Sequence, residues 1–313
     1  GAGPVALVGE RGIGKSTWLT ALEERLPADL VAHRLALGTP RISEEALCAW
    51  LADSLGLAAA TDAGGLIDAL LDGPRRVVLL DDAHLMLRRA HGGAGAIEAL
   101  VQILRRTGRH VFWVTAFGRF SWSYLRFLLR QPDVFRQTHR LEGWSEDALA
   151  ELIDRRMQAA GVTADYVPLM PEGVAHGYDH EGELARTRER FLRLLWDYAD
   201  GVPGTALHFW AASLRPVSDT VARVRLFRDP SPDDLEGLGD DARFALYAVV
   251  LHDQLSLADA PPVLGAPPAR CLALLEQLRA VGCLARQDDR YRVPLHWYRA
   301  AVRFLRRKHL LYG

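Results

Sequence analysis

The segment Gly9-Glu10-Arg11-Gly12-Ile13-Gly14-Lys15-Ser16, followed by Thr17, has the spacing G-x-x-x-x-G-K-[ST] of a phosphate-binding loop. Of the 38 basic residues, only Lys15 and Lys308 are lysine. A composition that puts arginine almost everywhere else keeps lysine here, where a compact ammonium fits between phosphates and a planar guanidinium does not. The glycines let backbone N–H groups turn toward phosphate oxygens, and a helix N-terminus adds partial positive charge. The expected ligand is ATP or ADP with Mg2+, contacted by residues 9–17. Lys15 reaches the β- and γ-phosphates, and the Ser16 hydroxyl holds the metal.

A second set of acids follows the apolar run Val77-Val78-Leu79-Leu80: Asp81 and Asp82, then His84. A buried strand ending in two carboxylates is a Walker B pattern. Ligands of open parallel sheets sit at the carboxyl ends of strands, so both acids face the nucleotide. Asp81 is the expected metal ligand, and Asp82 the base that orients or deprotonates the attacking water. A helix N-cap is the other use for Asp82. His84 is expected to pack or bond locally.

The elements that must position these residues can be read from periodicity. Pro4 to Val8 reads as a buried strand, Ser16 to Leu26 as a helix stopped by Pro27, and Leu30 to Leu37 as a second strand. Helices follow at Ser43 to Leu55, Leu66 to Leu71 and Ala96 to Arg106. His110 to Val114 is a further strand ending in Thr115, a polar residue placed to touch the γ-phosphate or its water. Thr138 to Leu141 is the last strand. The alternation predicts an α/β fold with a doubly wound parallel sheet.

Composition sets outer bounds. A length of 313 residues suits two or three domains, and 49% apolar content suits ordinary cores. Net charge is −1, so the chain as a whole is no polyanion binder. No apolar run approaches a membrane span and no leader is visible. The three cysteines, Cys48, Cys271 and Cys283, lack metal spacing and suggest reduced thiols and a cytoplasmic location. The first strand starts within a few residues of Gly1, which suggests a portion of a longer protein.

With these motifs the chain resembles the additional-strand P-loop ATPases, the AAA+ proteins and their STAND signalling relatives. The likeness rests on the phosphate loop, the Asp81-Asp82 strand, Thr115 at the sensor 1 position, and Gly201-Val202-Pro203-Gly204-Thr205 opening a later helix. Leu37-Gly38-Thr39-Pro40 before a Ser-capped helix resembles origin-recognition and transposition-regulator ATPases. The resemblance implies a lid after the core, with Pro203 packed near the nucleotide. Asp82 in place of Glu, and Gly204 where AAA+ lids commonly carry arginine, fit the STAND pattern and imply slow hydrolysis. If rings form, a neighbouring subunit supplies an arginine, for which Arg136 and Arg130 are the candidates.

Three domains are expected: a core at 1–142, a helical lid at 143–230 with an insertion at about 162–190, and a winged helix at 231–313. The insertion breaks periodicity and reads as a partner-contacting loop; His176, Asp179 and His180 are a weak metal set. In the last domain, helices at 240–251, 257–263 and 267–281 precede a hairpin around Gln287 to Arg290 and a closing helix from Pro294. From Arg290 onward there are seven Lys or Arg residues and no acid. That pattern at 290–309 suits double-stranded DNA; a protein or intramolecular contact is the rival. The function expected is an ATP-binding and ATP-hydrolysing AAA+-type switch that forms a homo-oligomer and regulates a DNA or protein partner. The alternative is a STAND-like module with protein contacts and its output domain elsewhere.

Overall fold

The computed structural model describes residues 3–129, 134–171 and 180–312. Two compact units divide the chain: Gly1–Leu141 with Leu235–Pro294 and Ala301–Gly313, and Glu142–Asp234 with Leu295–Ala300.

The first unit begins with β1 (Val5–Gly9), α1 (Lys15–Glu23), β2 (Val31–Ala36), α2 (Glu44–Ser54), α3 (Ala63–Asp72) and β3 (Arg76–Asp81). A 3-10 turn (Ala83–Met86), α4 (Gly95–Thr107), β4 (Val111–Gly118), α5 (Arg119–Leu129) and β5 (Gln137–Arg140) follow. The five strands are parallel in the order β2-β3-β4-β1-β5. The pleat sorts the apolar runs onto two faces, as a two-residue period requires. Ala6, Val8, Val78, Leu80, Trp113 and Phe117 enter a core with residues of α2, α3 and α4. Val5, Leu7, Val77, Leu79, Val114 and Ala116 pack with Leu19 of α1 on the other face. The side chain of Ser43 caps α2 by accepting from the Ala46 amide, as its position before the apolar periodicity predicts. Strand β4 lies between the strand that leads into the phosphate loop and the strand that ends in the acids, which is the inserted strand implied by the family resemblance.

The second unit holds α6 (Glu146–Ala160), β6 (Thr163–Asp165), α7 (His180–Ala199), α8 (Pro203–Ser213), β7 (Leu214–Pro216) and β8 (Val221–Val224). Ser145 caps α6, and Gly161 closes it in the left-handed region at φ 66°. Leu149, Ile153, Phe191, Leu195, Phe209 and Trp210 form its core. In the stretch expected as an aperiodic insertion, the described residues 162–171 and 180–190 hold regular structure. Strand β6 pairs in parallel with β8, Tyr166 is buried beside Trp210, and α7 already begins at His180. Three-residue strands carry too little alternation to read. His176 and Asp179 lie outside the described residues, as does Arg130. His180 sits in the first turn of α7, and no group of three metal-ligating side chains occurs among the described residues.

The first unit resumes with α9 (Asp240–His252), β9 (Leu255–Ser256), α10 (Ala260–Leu264), α11 (Pro268–Val281), β10 (Ala285–Gln287), β11 (Arg290–Arg292) and the latter part of α12 (Leu295–Arg307). The expected hairpin is present as β10–β11, and β9 extends it into a three-stranded sheet. These elements share one compact unit with the parallel sheet. Arg88, after the 3-10 turn, is buried against Asp259 at 3.1 Å; the Ser121 hydroxyl of α5 donates to the Leu251 carbonyl at 2.5 Å. No described helix is long and apolar enough to cross a membrane.

In the second unit, Gly201 has φ 68°, and a Cβ there would fall 2.5 Å from the Trp144 carbonyl oxygen and 2.7 Å from its nitrogen. Its own carbonyl accepts from the Trp144 amide at 2.8 Å. Gly201→Ala combines backbone strain with a steric clash and should destabilise this unit by roughly 2 kcal/mol or more. Thermal unfolding followed by tryptophan fluorescence would show it; an unchanged transition would mean that the loop has room to move.

Candidate nucleotide site

Three strand ends converge on one place. Gly9 ends β1, Asp81 ends β3, and Gly118 ends β4 in register with Gly9. Gly9 permits the tight start of the loop, since a Cβ there would lie 2.6 Å from Ile13 Cγ2. Gly12 and Gly14 take φ 82° and 106°, a region that favours glycine, and Gly14 is the N-cap of α1. The chain therefore delivers the first amides of α1 and the Lys15 side chain to the same point. Lys15 Nζ donates to the Gly9 and Glu10 carbonyls at 3.1 Å each. Its pKa is lowered, first by burial; the carboxylates of Asp82, Asp253 and Asp81 oppose that shift. Ile13 is buried, while Ser16 and Thr17 are exposed on the first turn of α1. Arg34 of β2 donates to the Ser16 carbonyl at 3.1 Å and to the Thr20 hydroxyl.

Asp81 is buried at the end of β3, and its Oδ1 accepts from the Asp82 amide at 2.9 Å. Asp82 takes φ 54° ahead of the 3-10 turn, but its side chain caps nothing there. The capping alternative therefore does not describe it. Burial, with Asp81 and Asp253 adding to it, pushes the Asp82 carboxyl up to about 6 against the pull of Lys15. His84 is buried, held down to about 4 by desolvation, and its Nδ1 has no hydrogen-bond partner.

Thr115 does not sit at a strand end. Strand β4 continues to Gly118, so Thr115 lies opposite Leu80 and Ala6, fully buried, with an unpartnered hydroxyl. The aromatic run Phe112-Trp113 hid the length of this strand, because Ala116-Phe117-Gly118 extends it without a polar break. The first charged residue past its end is Arg119. Arg136 is exposed at the other end of the sheet: its amide donates to the Pro4 carbonyl, just before β5, whose Gln137 pairs with Val5. It lies away from the phosphate loop of its own chain. Pro203 is buried at the first position of α8 in the second unit.

The residues missed in the sequence come from the C-terminal part of the same unit. Asp253 follows α9 with φ 62°. Its carboxylate meets Arg292 at 2.8 Å and Arg11 of the phosphate loop at 3.6 Å. Arg11 also donates to the Val293 carbonyl at 2.6 Å. Burial alone would raise the Asp253 pKa, but Arg11 and Arg292, with His84, hold it below the usual carboxylate value. His252 accepts from the Arg89 amide at 3.3 Å through Nε2, and burial lowers its pKa to about 3. Glu10 accepts from Arg119 at 3.0 Å and has Arg306 of α12 3.6 Å away. The acid-free run from Arg290 was one available signal, because such a run needs acids elsewhere. In this structure Asp259, Asp253, Asp200, Glu10 and Glu236 partner Arg290, Arg292, Arg299, Arg306, Arg307 and Lys308.

Residues 1–119 match the family model described as AAA domain. No curated protein matches the chain. Solved structures similar to it include a Walker-type ATPase of Pyrococcus abyssi, 15% identical with TM-score 0.47, the match covering 97% of this chain and 91% of that one. The ORC2 protein of Aeropyrum pernix, solved as ADPNP-ADP complexes, is 14% identical with TM-score 0.45 over 98% and 89% of the two chains. Cdc6p from Pyrobaculum aerophilum is 16% identical with TM-score 0.41 over 98% and 88%.

The buried histidines have a pH consequence. Both fold as neutral rings, with pKa values below the ordinary 6.5. In the window below 6.5 the unfolded chain binds protons that the folded chain refuses, so their contribution is complete above 6.5 and is lost as pH falls toward about 4. Asp82 acts in the opposite sense, so a single-site comparison is needed. His252→Gln should flatten the fall of melting temperature between pH 7 and 5 relative to the parent chain; parallel curves would contradict a neutral buried ring.

Proposed function

We propose, taking residues 1–119 as an AAA-type P-loop domain, that the chain is an ATP-binding and ATP-hydrolysing molecular switch whose C-terminal elements read the state of the phosphate loop. The observation that carries this reading is Asp253, held between Arg11 of the loop and Arg292 of β11, close enough to Lys15 and Asp82 to act on both. The loop amides and Lys15 hold the β- and γ-phosphates. Ser16 and Asp81 supply oxygens suited to Mg2+, a hard cation. Asp82 orients or deprotonates the attacking water. A terminal phosphate brings negative charge beside Asp253 and competes with it for Arg11, so the triphosphate loosens the C-terminal elements and hydrolysis lets them dock again. Thr115, enclosed in β4, has no part in this set. Arg136 faces away from its own loop, so it acts only in the site of a neighbouring subunit in a homo-oligomer.

Lys15→Ala should abolish measurable ATP binding by isothermal titration while leaving the fold intact; a folded variant with unchanged affinity would remove the assignment. Asp82→Asn should keep binding and slow turnover by about 10²–10⁴, the weight of a positioned base. Equal turnover would place the base elsewhere.

A second reading concerns the partner. The pairing of the C-terminal arginines with acids of this chain favours protein or intramolecular contacts, as in the STAND-like alternative, over double-stranded DNA along 290–309. If DNA is nevertheless bound, its affinity should fall by about 0.9 log units per phosphate contact per decade of salt. Fluorescence anisotropy at low salt with ATP present decides this: a flat trace rules direct DNA binding out.

A further inference from the structure

Glu10, the second residue of the phosphate loop, gathers three cations. Its carbonyl accepts from Lys15 Nζ at 3.1 Å, and its Oε1 accepts from Arg119 Nη1 at 3.0 Å. The guanidinium of Arg306 approaches the same Oε1 to 3.6 Å, beyond hydrogen-bond length, and lies 5.5 Å over the Phe120 ring. Arg306 Nη2 is buried and makes no hydrogen bond. A buried guanidinium donor without an acceptor is costly unless something arrives to accept from it. The two cations next in sequence are committed elsewhere: Arg307 and Lys308 share Glu236.

We propose that Arg306 is a nucleotide-site residue, a guanidinium supplied in cis by the C-terminal helix, which leaves Glu10 for the terminal phosphate of a bound nucleoside triphosphate. This rests on the nucleotide-site reading above and adds to it the residue that tells triphosphate from diphosphate. A phosphate offers the in-plane oxygens that satisfy a guanidinium fork, and it is a better acceptor than a carboxylate held out of reach. Glu10 is the exchange partner. Its single negative charge is shared by Arg306 and Arg119 when no terminal phosphate is present, and Arg119 remains to neutralise it afterwards. The arginine expected from the lid, at Gly204, is thus replaced by one from the helix that follows β11. The Phe120 ring lies under the guanidinium carbon of Arg306, a cation–π contact that leaves the in-plane N–H groups free to turn to a phosphate.

The test is isothermal titration of the full chain with ADP and with a non-hydrolysable ATP analogue, both with Mg2+. Arg306→Gln should weaken the analogue by about tenfold or more, the size of a charge-assisted hydrogen bond, and leave ADP unchanged. Arg303→Gln, an exposed neighbour on the same helix, should change neither. Equal losses for both nucleotides would make Arg306 merely structural, and no loss would remove it from the site; either result overturns the proposal. If the parent chain binds neither nucleotide, the site reading itself falls, an outcome distinct from both. Glu10→Gln gives an independent check should Arg306→Gln unfold. It should tighten the analogue relative to ADP, because the competitor for Arg306 is gone; an unchanged or lowered ratio overturns the exchange. Where both variants fold, the gain from Glu10→Gln should shrink in the Arg306→Gln background, and equal gains would separate the two residues and overturn it.

Discussion

A carboxylate held by two guanidiniums beside a phosphate loop is the interaction on which the rest of this structure turns. Asp253 brings negative charge beside the glycine-rich loop, and it does so from an element more than 200 residues away in sequence. The cost of burying it is offset because Arg11 and Arg292 stand on it. The same field acts on Lys15 and on Asp82, so the ionisation of the loop lysine and of the acid after β3 depends on where α9 ends. Position and charge meet at Asp253, which has φ 62° just after α9 and sets its carboxylate against Arg11 of the loop.

The parallel sheet makes this convergence possible. Its order puts β4 between β1 and β3, so the loop, the acids and the end of β4 open on one side. The C-terminal helices and small sheet share that unit and contact the loops on this side through Arg11, Arg88, Arg89 and Ser121. Most of these contacts are polar and specific in geometry.

The core and its phosphate loop were legible because their signals are local. A run such as Val77 to Leu80 can only be a buried strand, and the glycine spacing ahead of Lys15 has one economical use. Ser43, Ser145 and Gly161 marked helix ends through capping chemistry that acts within three or four residues. What was not legible is long-range or very short. Asp253, Arg292 and Arg306 gain meaning only from contacts across the fold. Strands β6 and β8 are too short to show alternation. Thr115 was misplaced for a local reason: a strand that continues in apolar residues gives no sign of where it ends. The arginines after Arg290 read as a basic surface because the acids that neutralise them lie elsewhere in the chain.

In the proposed switch, the terminal phosphate and Asp253 exclude one another at Arg11. Hydrogen–deuterium exchange of the full chain, with ADP and with a non-hydrolysable ATP analogue, tests it most directly. Amides around 250–254 and 290–294 should exchange slowly with ADP and distinctly faster with the analogue, while the strands of the parallel sheet stay protected in both. Equal protection of those two segments with either nucleotide would contradict the claim.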